Sequence, residues 1–147
     1  MTPDNAHVTE VRRVAVSADR IDAVALERLV EDPRAGAVVT FSGNVRDHDH
    51  GRSVRSLYYE GHPSAQQVLE QVASGIAADF DLIALAMEHR IGDINIGEAA
   101  LVVCAAAAHR EQAFAACAAA VDRTKDLLPV WKHQVFDDGT DEWVNFA

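Results

Sequence analysis

From Ala99 to Ala108 the chain reads Ala-Ala-Leu-Val-Val-Cys-Ala-Ala-Ala-Ala, and this uncharged run does most to limit what the chain can fold into. Such a segment belongs in a protein interior, as a buried strand. His109-Arg110 then opens an alanine-rich helix that runs to about Asp126, before Leu-Leu-Pro-Val-Trp-Lys. At ~100° per residue, Lys125 falls ~20° from Phe114, with Ala118 and Val121 on the same stripe. The spacing therefore predicts an ammonium on the buried face of the helix. Burying an unpaired charge is costly, so such a lysine meets a carboxylate or an anionic ligand, or reacts in a pocket where desolvation favours its neutral form. The competing reading is a helix-terminal lysine that reaches water and complements the negative end of the helix dipole.

The 147 residues read as one domain, 1–147, long enough to bury a sizeable core. Thirteen Lys and Arg against 23 Asp and Glu give a net charge of −10, which repels nucleic acid and anionic membrane surfaces at long range. Neither is expected as a partner, and a small phosphate-bearing ligand would need a local positive pocket. The opening Met-Thr-Pro-Asp-Asn has neither a basic n-region nor an apolar h-region, and no apolar run approaches the ~20 residues of a membrane span. A cytoplasmic protein is the expectation. Cys104 and Cys117 fit neither a zinc-ligand spacing nor a disulfide framework and read as reduced core residues. Asp47-His48-Asp49-His50 offers metal-ligand types, but four consecutive residues cannot all converge and no third cluster accompanies them, so no metal is expected.

Along the chain, strands and helices alternate. Val11–Val16 reads as a strand, followed by a helix from about Asp19 to Val30 with Ile21, Val24, Ala25 and Leu29 close to helical spacing; Asp32-Pro33 ends it. Ala35–Phe41 is a strand, residues 46–52 a mobile loop, and Val54–Glu60 a return strand. Pro63 opens a helix to about Phe80 with Ala65, Val68, Leu69, Val72 and Ile76 as its core face. Strands follow at Leu82–His89 and Ala99–Ala106, then the helix from His109, then strands at Val130–Phe136 and around Trp143. The order predicts an α+β protein of mixed or antiparallel sheet with its helices on one face.

Several segments, taken in order, resemble a known family. They are Gly36-Ala-Val-Val-Thr-Phe-Ser-Gly43, Val45-Arg46-Asp-His, Leu57-Tyr-Tyr-Glu60, His89-Arg90-Ile-Gly92, Gly97-Glu98, Ala108-His109-Arg110, Ala113-Phe114, and Lys125-x-x-x-Pro129-x-Trp131-Lys132. Together they resemble the large, catalytic subunit of molybdopterin synthase, the MoaE family, over nearly the whole chain. The resemblance implies an α/β hammerhead-type fold with an additional antiparallel β subdomain. It implies a sulfurtransferase that converts cyclic pyranopterin monophosphate into molybdopterin by installing the dithiolene, with no cofactor of its own. The sulfur would arrive as a thiocarboxylate on the Gly-Gly C-terminus of a small ubiquitin-like subunit, and two large subunits would form the homodimer core of a heterotetramer. A non-catalytic homodimeric scaffold that docks a ubiquitin-like partner or binds a pterin is the competing class.

Under this resemblance Lys125 and Lys132 are the catalytic pair. Lys125 would stabilise charge at an acyl carbonyl, transfer a proton or form a covalent link with the tail, and Lys132 would bind substrate or donate a proton. From its spacing alone, Lys132 is equally a solvated strand residue beside Trp131 and His133. Arg46, at the exit of an apolar strand, would grip a carboxylate or phosphate, although an ordinary loop arginine would look the same. His109 and Arg110 stand where helix N-terminal amides favour anions, and in the family this pair lines the pterin pocket, contributed across the dimer interface. Phe41 would wall the pocket or simply fill the core, and His89-Arg90 reads as mainly structural. The chain departs from the family pattern after Lys132, with His133-Gln134 in place of a basic residue and a glutamate, and it has no basic residue beyond Trp143.

Overall fold

The computed structural model describes residues 8–145, and within them lie three helices and nine strands. In chain order they are β1 (Glu10–Ser17), α1 (Ala23–Leu29), β2 (Ala37–Asn44), β3 (His48–Asp49), β4 (Arg52–Gly61), α2 (Ala65–Asp79), β5 (Ala84–Arg90), β6 (Gly92–Ile94), β7 (Ala99–Ala107), α3 (Arg110–Leu127), β8 (Val130–Phe136) and β9 (Asp141–Asn145). Among the described residues, no helix is long and apolar enough to cross a membrane.

The uncharged run becomes β7, an inner strand of a sheet ordered β1-β5-β7-β2. It is antiparallel to both β5 and β2, while β1 lies parallel to β5. Side chains of a strand alternate between faces. Leu101, Val103, Ala105 and Ala107 thus join the core beneath α2 and α3, while Val102, Cys104 and Ala106 join Ile21, Leu26 and Val30 of the α1 region. Helices therefore cover both faces of this sheet rather than one. A strand apolar on both sides needs a cover on each, and β7 shows no polar alternation because neither of its faces meets water.

Helix phase follows the caps. Asp22 caps α1, its carboxylate accepting from the Ala25 N–H at 3.1 Å. Ile21 consequently precedes the helix, and counting a helical stripe from it fails. Leu26 is the buried residue of α1, while Val24 and Leu29 are exposed. In α2 the expected face is largely borne out, with Ala65, Leu69, Val72 and Ile76 buried and Val68 packed at the edge. In α3 the buried stripe is Ala113, Ala116, Cys117, Ala120, Val121 and Thr124, whereas Phe114 is 61% exposed. Small residues let this helix approach β2 and β7 closely, so its one large aromatic residue points the other way.

The second sheet is antiparallel, ordered β3-β4-β8-β9, with β6 also paired to β4. It matches the antiparallel subdomain expected beside the main α+β layers. The segment read as a mobile loop is a hairpin instead. His48 pairs with Ser53 and Asp49 with Arg52, joined by His50 and Gly51, which both hold positive φ (50° and 76°). Two consecutive left-handed residues are what a tight two-residue hairpin requires. Cys104 and Cys117 are free and buried, and they belong to cores on opposite faces of the first sheet. Burial pushes both thiols up, that of Cys117 to about 11.

Candidate functional site

A cavity of about 290 Å³ opens where the two sheets meet the C-terminal end of α3. Its walls follow from strand alternation. Leu57 and Tyr59 project from β4, and Val130, Lys132 and Gln134 project from β8. The register sets Tyr59 opposite Lys132 and Leu57 opposite Gln134, so both pairs share one face of the sheet. Trp131 and His133 lie in the alternate positions, and His133 stacks on Trp143 at 4.5 Å. From the first sheet, β2 brings Phe41, whose ring lies over Gly43. A Cβ at Gly43 would fall 3.0 Å from that ring, so the glycine is what lets the aromatic wall fold down. Val45 is then pinned on both sides, its N–H donating to the Glu98 carbonyl at 2.9 Å and its own carbonyl accepting from Gly97 at 2.8 Å. That anchor fixes the point from which Arg46 departs.

Arg46, Lys125, Lys132 and Phe41 all line this cavity, so four of the six expected site residues come together. His109 and Arg110 do not. They stand exposed at the other end of α3, and at 1.5 Å per residue Arg110 is roughly 22 Å along the helix axis from Lys125. The expectation that Lys125 is buried is overturned as well. It is exposed at the cavity mouth, because the stripe containing Phe114 and Ala118 faces outward. Thr124, one residue earlier, occupies the buried position instead.

Asp49 supplies a carboxylate to the cavity lining, and its setting is specific. The amide Nε2 of Gln134 donates to Asp49 Oδ2 at 2.7 Å and to Glu142 Oε1 at 3.0 Å. Arg46 approaches Asp49 at 3.5 Å. The Gln134 hydrogen bond is the main reason the Asp49 carboxyl lies below the usual carboxylate range. Burial opposes it, and Lys132, His50 and Arg46 add to it. Three cations and one anion face the cavity from these positions, an excess of positive charge within an acidic chain.

Deeper in, the lining is neutral. His89 is 3% exposed, and its Nδ1–H donates to the Arg90 carbonyl at 2.7 Å. Because that carbonyl only accepts, the proton sits on Nδ1 and the lone pair on Nε2. Burial pushes His89 down to about 4, the Arg90 carbonyl opposes the shift, and the nearby Lys125 charge lowers it further. Tyr59 meets the His89 ring edge-on at 5.2 Å, and burial pushes its phenol up to about 12. Arg90 is structural, as expected, bound to the Asp93 carbonyl at 2.7 Å and to Glu98 at 3.4 Å, but His89 is part of the cavity. Tyr59, His89, Thr124, Asp49 and Gln134 were not assigned from the sequence. Gln134 alone carried a usable signal, since it lies two residues beyond Lys132 on the same strand face.

Comparison with known proteins follows the same lines. The family model described as MoaE protein matches residues 16–127. The chain is 34% identical over 135 residues to the molybdopterin synthase catalytic subunit of Bacillus subtilis, covering 91% of this chain and 85% of that protein. It is 38% identical over 117 residues to the protein of the same description from Pyrococcus abyssi, covering 79% and 78%. The crystal structure of molybdopterin synthase from Staphylococcus aureus superposes with a TM-score of 0.81 at 28% identity, covering 88% of this chain and 95% of that one. A molybdopterin cofactor biosynthesis protein E from Burkholderia multivorans superposes with a TM-score of 0.71 at 31% identity, covering 95% and 90%.

Proposed function

The chain belongs to the MoaE protein family, and from that membership we propose that it is the catalytic subunit of a molybdopterin synthase. In this reading it moves sulfur from the C-terminal thiocarboxylate of a small ubiquitin-like subunit to cyclic pyranopterin monophosphate, forming the molybdopterin dithiolene. The observation that carries it is the convergence of Arg46, Lys125 and Lys132, from the β2–β3 connection, α3 and β8, on one cavity. A thiocarboxylate and a phosphate are both anions, and a chain of net charge −10 repels both at long range. Local cations must therefore capture them.

The roles follow from position. Arg46 and Lys132 hold anionic groups, and Asp49, anchored by Gln134, fixes where these two cations sit. Lys125, at the cavity mouth beside His89, is the group that meets the acyl carbon of the tail. Its ammonium stabilises the oxyanion as one water replaces sulfur at the acyl carbon of the tail joined through that sulfur to the pterin, and it gives a proton to the sulfur that leaves with the pterin as the acyl–sulfur bond breaks. Phe41, Leu57, Leu128 and Val130 keep bulk water from the reacting groups. His109 and Arg110 complete the site from a second copy of the chain. Support for that copy lies in Phe114, exposed one helical turn beyond Arg110, and in Val38, 40% exposed on β2 at the end of the sheet order.

Mixing the chain with a thiocarboxylated small partner and the pterin precursor, with mass detection of the dithiolene product, tests the reading. Wild type should form product, and Lys125→Ala should bind the partner yet form none. A wild-type chain that binds the partner and leaves the precursor unconverted would instead be the non-catalytic scaffold.

A further inference from the structure

Water that breaks the acyl–sulfur link gives up a proton, and the other groups of the site do not take it. Arg46, Lys125 and Lys132 act there as cations. Asp49 is tied to Gln134 and held below the usual carboxylate range, which makes it a weak base. Burial pushes His89 down to about 4 and the Tyr59 phenol up to about 12, so near neutral pH both stay uncharged and neither accepts a proton. One imidazole of the cavity lining is left. His48, two residues beyond Arg46, stands at the exposed rim of the same cavity.

Its placement is fixed from two sides. The Asp47 carbonyl accepts from the Val54 N–H at 2.8 Å, and His48 pairs with Ser53, so the hairpin holds both residues against β4. The Asp47 carboxylate lies 2.8 Å from His48 Nδ1. A carboxylate only accepts, so the Nδ1–H donates to it and Nε2 keeps its lone pair. That hydrogen bond is the main reason the Asp47 carboxyl lies below its usual range.

We propose that His48 is the general base of the transfer, its Nε2 taking a proton from the attacking water while Asp47 positions the ring. The proposal rests on the reading of the chain as a molybdopterin synthase subunit. One O–H bond of the water breaks, its proton goes to His48 Nε2, and the oxygen bonds the acyl carbon of the tail. The acyl–sulfur bond then breaks with its electron pair on sulfur, which takes the Lys125 proton and leaves as a thiol on the pterin. The new carboxyl returns a proton to the Lys125 amine, and the His48 imidazolium gives its own to the solvent at the rim. Nothing is oxidised or reduced.

Single-turnover reactions with the thiocarboxylated small partner and the pterin precursor, followed by intact-mass detection, test the base. His48→Asn keeps an amide donor for Asp47 and removes the base, and His48→Ala leaves room for imidazole added to the buffer. Both should bind the partner and melt like wild type, because the side chain is mostly in water. Both should form product roughly 10²- to 10⁴-fold more slowly, the usual worth of acid–base catalysis, with the partner accumulating joined through sulfur to the pterin. Imidazole should speed His48→Ala and leave wild type unchanged. Asp47→Ala should lower the maximal rate and leave the half-saturating precursor concentration where it is. Product at the wild-type rate in His48→Asn overturns the proposal, as does a slow His48→Ala that accumulates no joined species and ignores imidazole. A raised half-saturating precursor concentration at an unchanged maximal rate would make His48 a ligand contact and overturns the base as well. Those failures leave the synthase reading standing, whereas a wild type that converts no precursor brings down both.

Discussion

Replacing Gln134 with glutamate removes both N–H bonds that tie Asp49 to Glu142 and sets a third carboxyl between them. Gln134 is 2% exposed, so water cannot make good the loss. A hydrogen bond to a charged acceptor is worth ~1.5 kcal/mol at the low end, so two amount to ~3 kcal/mol before any repulsion is counted. For a chain of this length that is about 10 °C in melting temperature. The pH dependence has a definite sign. Burial between two acids raises the introduced carboxyl's folded pKa above its unfolded value. Its protonated form, which can donate to one neighbour, is favoured at low pH and lost as pH rises through the folded value. In wild type the Asp49 carboxyl is lowered, so its contribution is present above the ordinary aspartate value and lost only as pH falls through the depressed one. The stability gap between Gln134→Glu and wild type should therefore widen from pH 5 to pH 8. Urea unfolding followed by circular dichroism at both values measures it. A gap below ~1 kcal/mol at pH 8, or one that narrows as pH rises, would refute the argument.

The two lysines should separate under conservative exchange. Lys125→Arg should not restore product formation, because a guanidinium does not give up its proton, whereas Lys132→Arg should retain much of the wild-type rate in single-turnover assays. Equal recovery in both would reduce Lys125 to an electrostatic anchor. Replacing Cys104 and Cys117 together with Ala should cost about 1 kcal/mol per site yet leave transfer per folded molecule intact, and in the native wild type neither thiol should react with iodoacetamide. Phe114→Ser should shift the chain toward a monomer in sedimentation while changing its melting temperature by less than about 2 °C, since the side chain is mostly in water within one copy. An unchanged oligomeric state would remove α3 from the contact between copies.

Strands were the most legible part of the fold, because β7, β8 and the flanks of β5 announce themselves by apolar runs and bounding glycines and prolines. The phase of α3 was not legible. An alanine-rich helix offers almost no contrast between its faces, and reading it from its largest residue, Phe114, inverted the assignment. The hairpin at His50-Gly51 lacked the usual Asn-Gly or Asp-Gly signal, so its turn was hidden among polar residues. Of the site, the cationic members were found through the order of motifs, while Tyr59 was quoted among those motifs without a role and His89 was read as mainly structural. Their place in the cavity depends on the register of β4 against β8 and on the approach of β5, and local sequence carries neither.

The parallel pairing of β1 with β5 sets Glu10 beside Ala84, and the pairing of β4 with β8 sets Val54 beside Phe136. Each closes a long stretch of chain, the kind of contact that slows folding and forms late. Every wall of the cavity depends on at least one such closure, so a chain caught part-way carries Lys125 and Lys132 but no chamber between them. Docking competence is thereby a readout of completed folding: a partner tail can lodge only in a molecule whose two sheets have already come together.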